Sequence, residues 1–302
     1  MTVRLATFDI PAVHDTLSLR IALAGTHTQD KQSAVTATFA PALLVSYVYL
    51  DQFLRHRHRY NYRDWVIDSG AFSAHHSGTE IKLSDYIAKC HELIETDPKL
   101  TEVYALDVIA NWEASLENTR EMWKEGVKAI PCYHHGEPEK VLRQLADEYP
   151  KIALGGAVGL KGDYKIRWAE QCFARVWPKR IHGFGFGSEK QIMALPWHSV
   201  DATNWEIGPC KFGRWQKYGQ MSVRGSKQNL RSEVEWYLQL EERARVKWRK
   251  QMAELSALPG LELRLGIQNS SDRQIARSGL EPAVRIAATG HGSEVAHRAL
   301  EK

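Results

Sequence analysis

Short apolar runs, many of them β-branched, alternate along this chain with longer stretches of helical periodicity. The runs fall at 20–24, 43–48, 65–68, 103–107, 129–133, 152–155, 181–186 and 199–201, with a further one at 220–223. The amphipathic stretches fall between them at 83–95, 115–124, 138–148, 165–177 and 189–193. Strand and helix repeated in this way predict a parallel α/β fold. The polar residues choose between its two forms. Asp68, Asp107, His134 and His135, Gly155 and Gly156, Gly185 and Asp201 all stand at or just after the carboxyl end of a run. A barrel gathers all such ends at one mouth, whereas an open sheet brings together only those at its switch point. The expectation is therefore a (β/α)8 TIM-like barrel.

The length of 302 residues suits one such domain. Residues 1–228 are assigned to the barrel and 229–257 to a basic helical extension packed on it. The tail at 258–302, where Gly, Ser and scattered charges break the periodicity, is read as loosely ordered or an appended helix. No apolar run approaches the ~20 residues of a membrane helix, and the first residues lack the order of a signal peptide, so a cytoplasmic protein without a membrane partner is expected. The four cysteines, Cys90, Cys132, Cys172 and Cys210, form no CxxC pair. Reduced, partly buried thiols are expected, with neither a disulfide framework nor a metal site. The adjacent pairs His75-His76 and His134-His135 also argue against a metal, because neighbours on a strand point to opposite faces.

Three segments end an apolar run on an acid: Val66-Ile67-Asp68-Ser69-Gly70, Tyr104-Ala105-Leu106-Asp107 and Ser199-Val200-Asp201-Ala202. One such acid is as readily a helix cap as a catalyst. Three on separate strands of one barrel describe a carboxylate-lined mouth, which suits glycosyl chemistry: one acid attacks or stabilises C1′ and another moves protons. In Ile152-Ala153-Leu154-Gly155-Gly156-Ala157-Val158-Gly159 the glycines admit either a flat ligand against the backbone or close packing at a strand exit. In Ile181-His182-Gly183-Phe184-Gly185-Phe186-Gly187 the aromatic faces suit either base stacking or an ordinary core.

In this order the segments resemble the tRNA-guanine transglycosylase superfamily over roughly two thirds of the chain, residues 20–205. Asp68-Ser69-Gly70-Ala71-Phe72 is similar to its Asp-Ser-Gly-Gly-Phe/Tyr motif, and Leu154-Gly155-Gly156-Ala157-Val158-Gly159 to its Gly-Gly-Leu-Ala-Val-Gly loop. Phe184-Gly185-Phe186-Gly187 is similar to Met-Gly-Val-Gly, and Val200-Asp201 to the Phe-Asp of the nucleophile strand. The resemblance implies that Asp201 is the nucleophile at C1′ and Asp68 the general acid/base. It further implies that Asp107 binds a guanine-like base with backbone at Gly155 and Gly156, and that Phe72 and Phe184 sandwich the ring. Base exchange of this kind needs no redox cofactor or ATP.

The chain departs from the family in two places. Where the tRNA enzymes carry a three-cysteine, one-histidine zinc site, Gly208-Pro209-Cys210-Lys211-Phe212-Gly213-Arg214-Trp215 has one cysteine, so no zinc subdomain is expected. The family's base-reading Gln aligns with His135, before Gly136. A short, zinc-less chain resembles the phage and bacterial branch that inserts 7-deazaguanines such as preQ0 into DNA. The stretch 211–250 has eleven Lys or Arg and four Glu, with aromatics between them, and its Lys211, Arg214, Lys217, Arg224 and Lys227 are candidate phosphate contacts. Arg55, Arg57 and Arg59 form a second basic patch; a solvated face is the ordinary alternative for both. The expected activity is exchange of guanine in DNA for a free 7-deazaguanine base. A zinc-less enzyme acting on tRNA, or an idle barrel that binds nucleic acid, are the rivals, and the oligomeric state is left open.

Overall fold

The computed structural model describes residues 18–25, 40–222 and 230–256. Eight parallel strands form its centre: β1 (Arg20–Ala24), β2 (Ala42–Ser46), β3 (Trp65–Asp68), β4 (Leu100–Val103), β5 (Cys132–His134), β6 (Lys151–Gly155), β7 (Arg180–Gly183) and β8 (Ser199–Ala202). Each lies beside its neighbour in the chain, and β8 pairs with β1, in register from Arg20 opposite Ser199 to Leu23 opposite Ala202. The remaining gap, between β4 and β5, is bridged by Tyr104 and Ile130: the Ile130 amide donates to Val103 O (2.8 Å) and the Ala105 amide to Ile130 O (2.9 Å). The ring is closed, and the fold is a TIM-like (β/α)8 barrel.

Helices follow the strands: α1 (Leu50–His56), α2 (Ala71–Ser77), α3 (Leu83–Thr96), α4 (Trp112–Lys124), α5 (Glu139–Glu148), α6 (Gly162–Val176), α7 (Glu189–Ala194) and α8 (Asn204–Phe212). In α5 the buried residues Val141, Leu142, Leu145 and Ala146 form one stripe at helical spacing, and the opposite face is polar. The Asn111 side chain caps α4 by accepting from the Ala114 amide, and Ser188 with Gln191 makes a reciprocal capping box on α7. α2 and α8 are short segments after the acid-bearing strands β3 and β8, where the sequence shows turn residues rather than a clear period.

Ala22, Ala42, Val66, Tyr104, Ile130 and Ala153 pack inside the barrel, where the strands leave room mainly for small side chains. Below them, at the amino ends of the strands, lies a polar layer. Lys151 Nζ donates to Glu102 (2.7 and 2.8 Å) and to Ser199 Oγ (2.8 Å), and Arg20 pairs with Glu102 and Asp64. Burial pushes the Lys151 ammonium down to about 8. Burial alone would raise Glu102, but Lys151 and Arg20 reverse the direction and hold its carboxyl below the usual range.

The long helix α9 (Arg231–Ser256) packs on the barrel from one end to the other. Near its start the Tyr237 hydroxyl donates to Gly187 O, in the loop after β7. Further along, Glu241 accepts the Ile21 amide of β1 (2.7 Å) and pairs with Arg63 (3.0 Å) and Arg245 (2.9 Å), while Arg245 Nε donates to Leu19 O. The carboxylate thus satisfies a strand amide at the barrel wall, and the helix acts as the barrel's outer cover beside β1. Removing a buried, multiply bonded charge leaves its partners unsatisfied, so Glu241→Ala should cost about 2–4 kcal/mol. Urea unfolding checks this, and an unchanged midpoint would contradict it.

Candidate active site

The carboxyl ends of the strands bring Asp68, Asp107 and Asp201 to one mouth. Asp68 ends β3, Asp107 lies just past β4, and Asp201 stands on β8. Mutual proximity is visible in the electrostatics. Burial raises Asp68 to about 7, and the charges of Asp107 and then Asp201 add to the effect, against hydrogen bonds from the Gly70 and Ser69 amides. The Gly70 amide reaches Asp68 Oδ2 at 3.1 Å, so this acid does hold a local turn. The backbone there requires glycine: Gly70 has φ +77°, and a Cβ would lie 2.7 Å from Ser46 Oγ.

Asp201 is held differently. Its Oδ1 accepts the Gly185 amide at 2.6 Å, and Lys165 Nζ, reaching in from α6, donates to the Gly185 carbonyl at 2.7 Å. Burial raises Asp201 to about 6, opposed by the Gly185 hydrogen bond and the Lys165 charge. Beneath it lies His182, fully buried, with Nε2 3.8 Å from Asp201 Oδ1 and Nδ1 2.9 Å from Ser199 Oγ. Ser199 Oγ accepts from Lys151 Nζ at 2.8 Å; in the tautomer where its own proton goes to His182 Nδ1, the imidazole proton stands on Nε2, facing Asp201. Burial, then the charges of Lys151 and Arg20, keep this histidine far below its usual pKa and therefore neutral. The motif around Gly183 contained His182, but its role shows only through the alternation that turns it inward.

Around Asp107 the arrangement centres on His134. Its Nε2 lies 3.3 Å from Asp107 Oδ2 and its Nδ1 3.0 Å from Glu137 Oε1; Glu137 also accepts the His134 amide. The neighbouring Cys132 sulfur, then hydrogen bonds to Asp107 and Glu137, raise the His134 pKa far above that of a free imidazole. His135, expected as the base reader, is placed elsewhere. Its Nε2 lies 3.3 Å from the Tyr164 hydroxyl and its ring packs edge-on against Trp168. Adjacent residues leave a strand on opposite sides, and it is His134 that meets Asp107.

Gly155 and Gly156 make room for this cluster. A Cβ on Gly155 would lie 2.7 Å from Cys132 Sγ and 3.1 Å from the His134 ring; one on Gly156 (φ +66°) would lie 3.0 Å from His134 Cβ. Close packing at the strand exit is thus their visible function. Phe184 packs edge-on against Tyr104 and His182 inside the barrel. Phe72, on α2, is 56% exposed and lies against His76.

The two basic regions fare differently. Arg55, Arg57 and Arg59 lie where α1 ends and the chain turns back towards the start of β3, at the end of the barrel opposite the mouth. Arg57 is paired with Asp97, which also accepts from Trp65 Nε1 (2.7 Å). This patch is a structural corner of the barrel floor, not a wall of the site. Lys211, Arg214 and Lys217 are exposed on α8 and on a hairpin of Arg214–Trp215 with Gly219–Gln220, beside exposed Phe212 and Tyr218. The hairpin is fastened to α9 by the Gln216 amide, which donates to Glu233 (3.1 Å) one helical turn before Tyr237. Arg224 and Lys227 lie outside the described residues. Much of the charge on α9 is committed within the chain: Arg231 to Glu235, Arg243 to Glu189, Arg245 to Glu241, and Lys247 to Met193 O.

No protein-family model matches the sequence, and no curated protein matches it. Solved structures with similar coordinates include the tryptophan synthase alpha subunit of Campylobacter jejuni, at 12% identity and a TM-score of 0.37, covering 61% of this chain and 85% of that one. A mutant tryptophan synthase alpha subunit from the hyperthermophile Pyrococcus furiosus aligns at 14% identity and a TM-score of 0.38, covering 72% and 96%. Among the described residues no helix is long and apolar enough to cross a membrane.

Folded Asp68 holds its proton more tightly than the unfolded chain does, so its contribution to stability is complete below about 3.8 and is lost as pH rises through about 7. Asp68→Asn, which removes the ionisable group, should therefore raise the thermal midpoint relative to the parent at pH 8. The gain should shrink towards pH 4. Calorimetry at both values checks this, and a gain that grows on acidification would contradict it.

Proposed function

We propose that this protein is a pentosyltransferase that replaces guanine in DNA by a 7-deazaguanine. The observation that carries this reading is the meeting of Asp68, Asp107 and Asp201 at one barrel mouth, with the proton affinities of Asp68 and Asp201 raised to different values. At neutral pH a carboxyl with a pKa of about 6 is mostly ionised, and one with a pKa of about 7 is evenly divided. The first is suited to attack and the second to proton transfer in both directions.

In the proposed reaction an Asp201 oxygen attacks C1′ of the nucleotide and the bond from C1′ to guanine N9 breaks. Protonated Asp68 delivers its proton to the departing purine. The free 7-deazaguanine then enters, Asp68 takes the proton from its N9, and that nitrogen displaces Asp201 from C1′. Two displacements retain the anomeric configuration. The Gly185 amide, 2.6 Å from Asp201 Oδ1, orients Asp201 and lowers its charge density until attack, and His182 Nε2 stands 3.8 Å from the same oxygen. Asp107 binds the base edge, with His134 as its ion-pair partner. A base within duplex DNA would have to be turned out of the stack to reach this mouth, and Lys211, Arg214 and Lys217 are suited to hold the flanking phosphates.

Incubation of DNA, and separately tRNA, with preQ0 base followed by nucleoside analysis tests the reading. Guanine release and a deazaguanine deoxynucleoside are expected from DNA; modification confined to tRNA would favour the rival substrate. The exchange rate should rise with pH through about 6, as Asp201 ionises, and fall through about 7, as Asp68 loses its proton. Asp201→Ala should abolish exchange, and Asp68→Asn should lower it by roughly 10²–10⁴-fold. Full activity in Asp201→Ala would overturn the mechanism.

A further inference from the structure

We propose that Asp107, Cys132 and His134 form a binding site for a divalent transition-metal ion of the zinc class at the barrel mouth. Their donor atoms all lie within 4.8 Å of one another, and His134 Nε2 to Asp107 Oδ2, at 3.3 Å, already matches one edge of a tetrahedral site. Donors roughly 2.0–2.3 Å from an ion stand about 3.3–3.7 Å apart in such a tetrahedron. Cys132 and His134 are two residues apart on β5 and therefore share its inner face, while Asp107 comes from the loop after the adjoining strand β4.

Two further features favour an ion over a chance cluster. His134 presents Nε2 to the other donors while Nδ1 lies 3.0 Å from the Glu137 carboxylate. A histidine that binds metal through one nitrogen is commonly oriented by a carboxylate on the other, which fixes its tautomer and strengthens it as a donor. Opposite the cluster, Gly155 carries no side chain, and any Cβ there would intrude on both the sulfur and the imidazole. The mixed thiolate, imidazole and carboxylate set suits Zn²⁺ and disfavours Mg²⁺ or Ca²⁺, which prefer oxygen donors alone.

Three protein donors leave a fourth position, and the partial exposure of Asp107 and His134 (15% and 24% of their side chains) turns it towards the mouth. That position is open to water or to a nitrogen or oxygen of a ligand, the arrangement of a catalytic rather than a purely structural metal site. The ion would engage Asp107 through Oδ2, leaving Oδ1 for a donor on the base. Binding releases the Nε2 and thiol protons, so affinity should rise with pH. The inference goes beyond the base-exchange reading and does not depend on it, because its readout is metal content rather than turnover.

The test loads the full-length protein with Zn²⁺, dialyses it, and measures the metal retained; a parallel sample with Co²⁺ is read by absorption. About one equivalent and a sulfur-to-cobalt charge-transfer band are expected. Cys132→Ser should remove the band, whereas Cys90→Ser should leave both signals unchanged. Glu137→Gln should weaken binding by about 10- to 100-fold. Failure of the parent protein to retain metal, or a band that survives Cys132→Ser in a folded variant, would overturn the proposal. The parent measurement decides the matter even if the Cys132 variant fails to fold.

Discussion

Closure of eight parallel strands into a ring puts every carboxyl end on the same rim, and three of those ends carry an aspartate. The Tyr104–Ile130 bridge and the β8–β1 pairing complete this ring. Burial in a poorly solvated mouth raises both Asp68 and Asp201, and at Asp68 the charges of Asp107 and Asp201 add to it. Their environments separate them: Asp68 feels the charges of its fellow acids, whereas Asp201 is steadied by the Gly185 amide and Lys165. The division of labour proposed for them follows from that difference.

The support for Asp201 reaches through the barrel. Arg20 and Lys151 neutralise Glu102 in the floor, Lys151 engages Ser199, and Ser199 meets His182 Nδ1 beneath Asp201. Buried polar groups of this kind are tolerated only when connected, and here nearly every member has a partner. Among the described residues the exceptions in this network are Arg20 Nε and His182 Nε2, the latter 3.8 Å from Asp201. A buried polar atom left without a partner costs stability in the resting protein, and a small shift of Asp201 would bring it within reach of His182 Nε2.

Most strands and the longer helices were legible because apolar alternation and amphipathic period survive without tertiary information; the run read at 103–107 is instead the exit of β4 (Leu100–Val103), and that at 220–223 meets only Gln220 of the hairpin. The strand-end acids were legible for the same reason. The short helices α1, α2 and α8 were not: each has too few turns to show a period, and α8 carries Pro209 within it. The choice between His134 and His135 depended on which residue of β5 faces inward, a one-residue matter of register. Cys132-x-His134 carried a period-two signal for a shared face, but attention to adjacent histidines and to CxxC spacing passes over it. The basic patch at Arg55–Arg63 shows a different gap. Composition reveals positive charge, but only the course of α1 reveals that the patch lies at the floor, where Arg57 meets Asp97 and Arg63 meets Glu241.

The central claim is that Asp201 attacks a sugar carbon, and the covalent intermediate is its most direct trace. Intact-mass spectrometry of the protein mixed with a guanine-containing oligonucleotide, in the absence of an incoming base, would detect it. The account predicts a protein–DNA adduct, formed with loss of guanine, whose peptide map places the link on Asp201. An adduct mapped to another residue, or guanine release with no adduct under any quench, would contradict it.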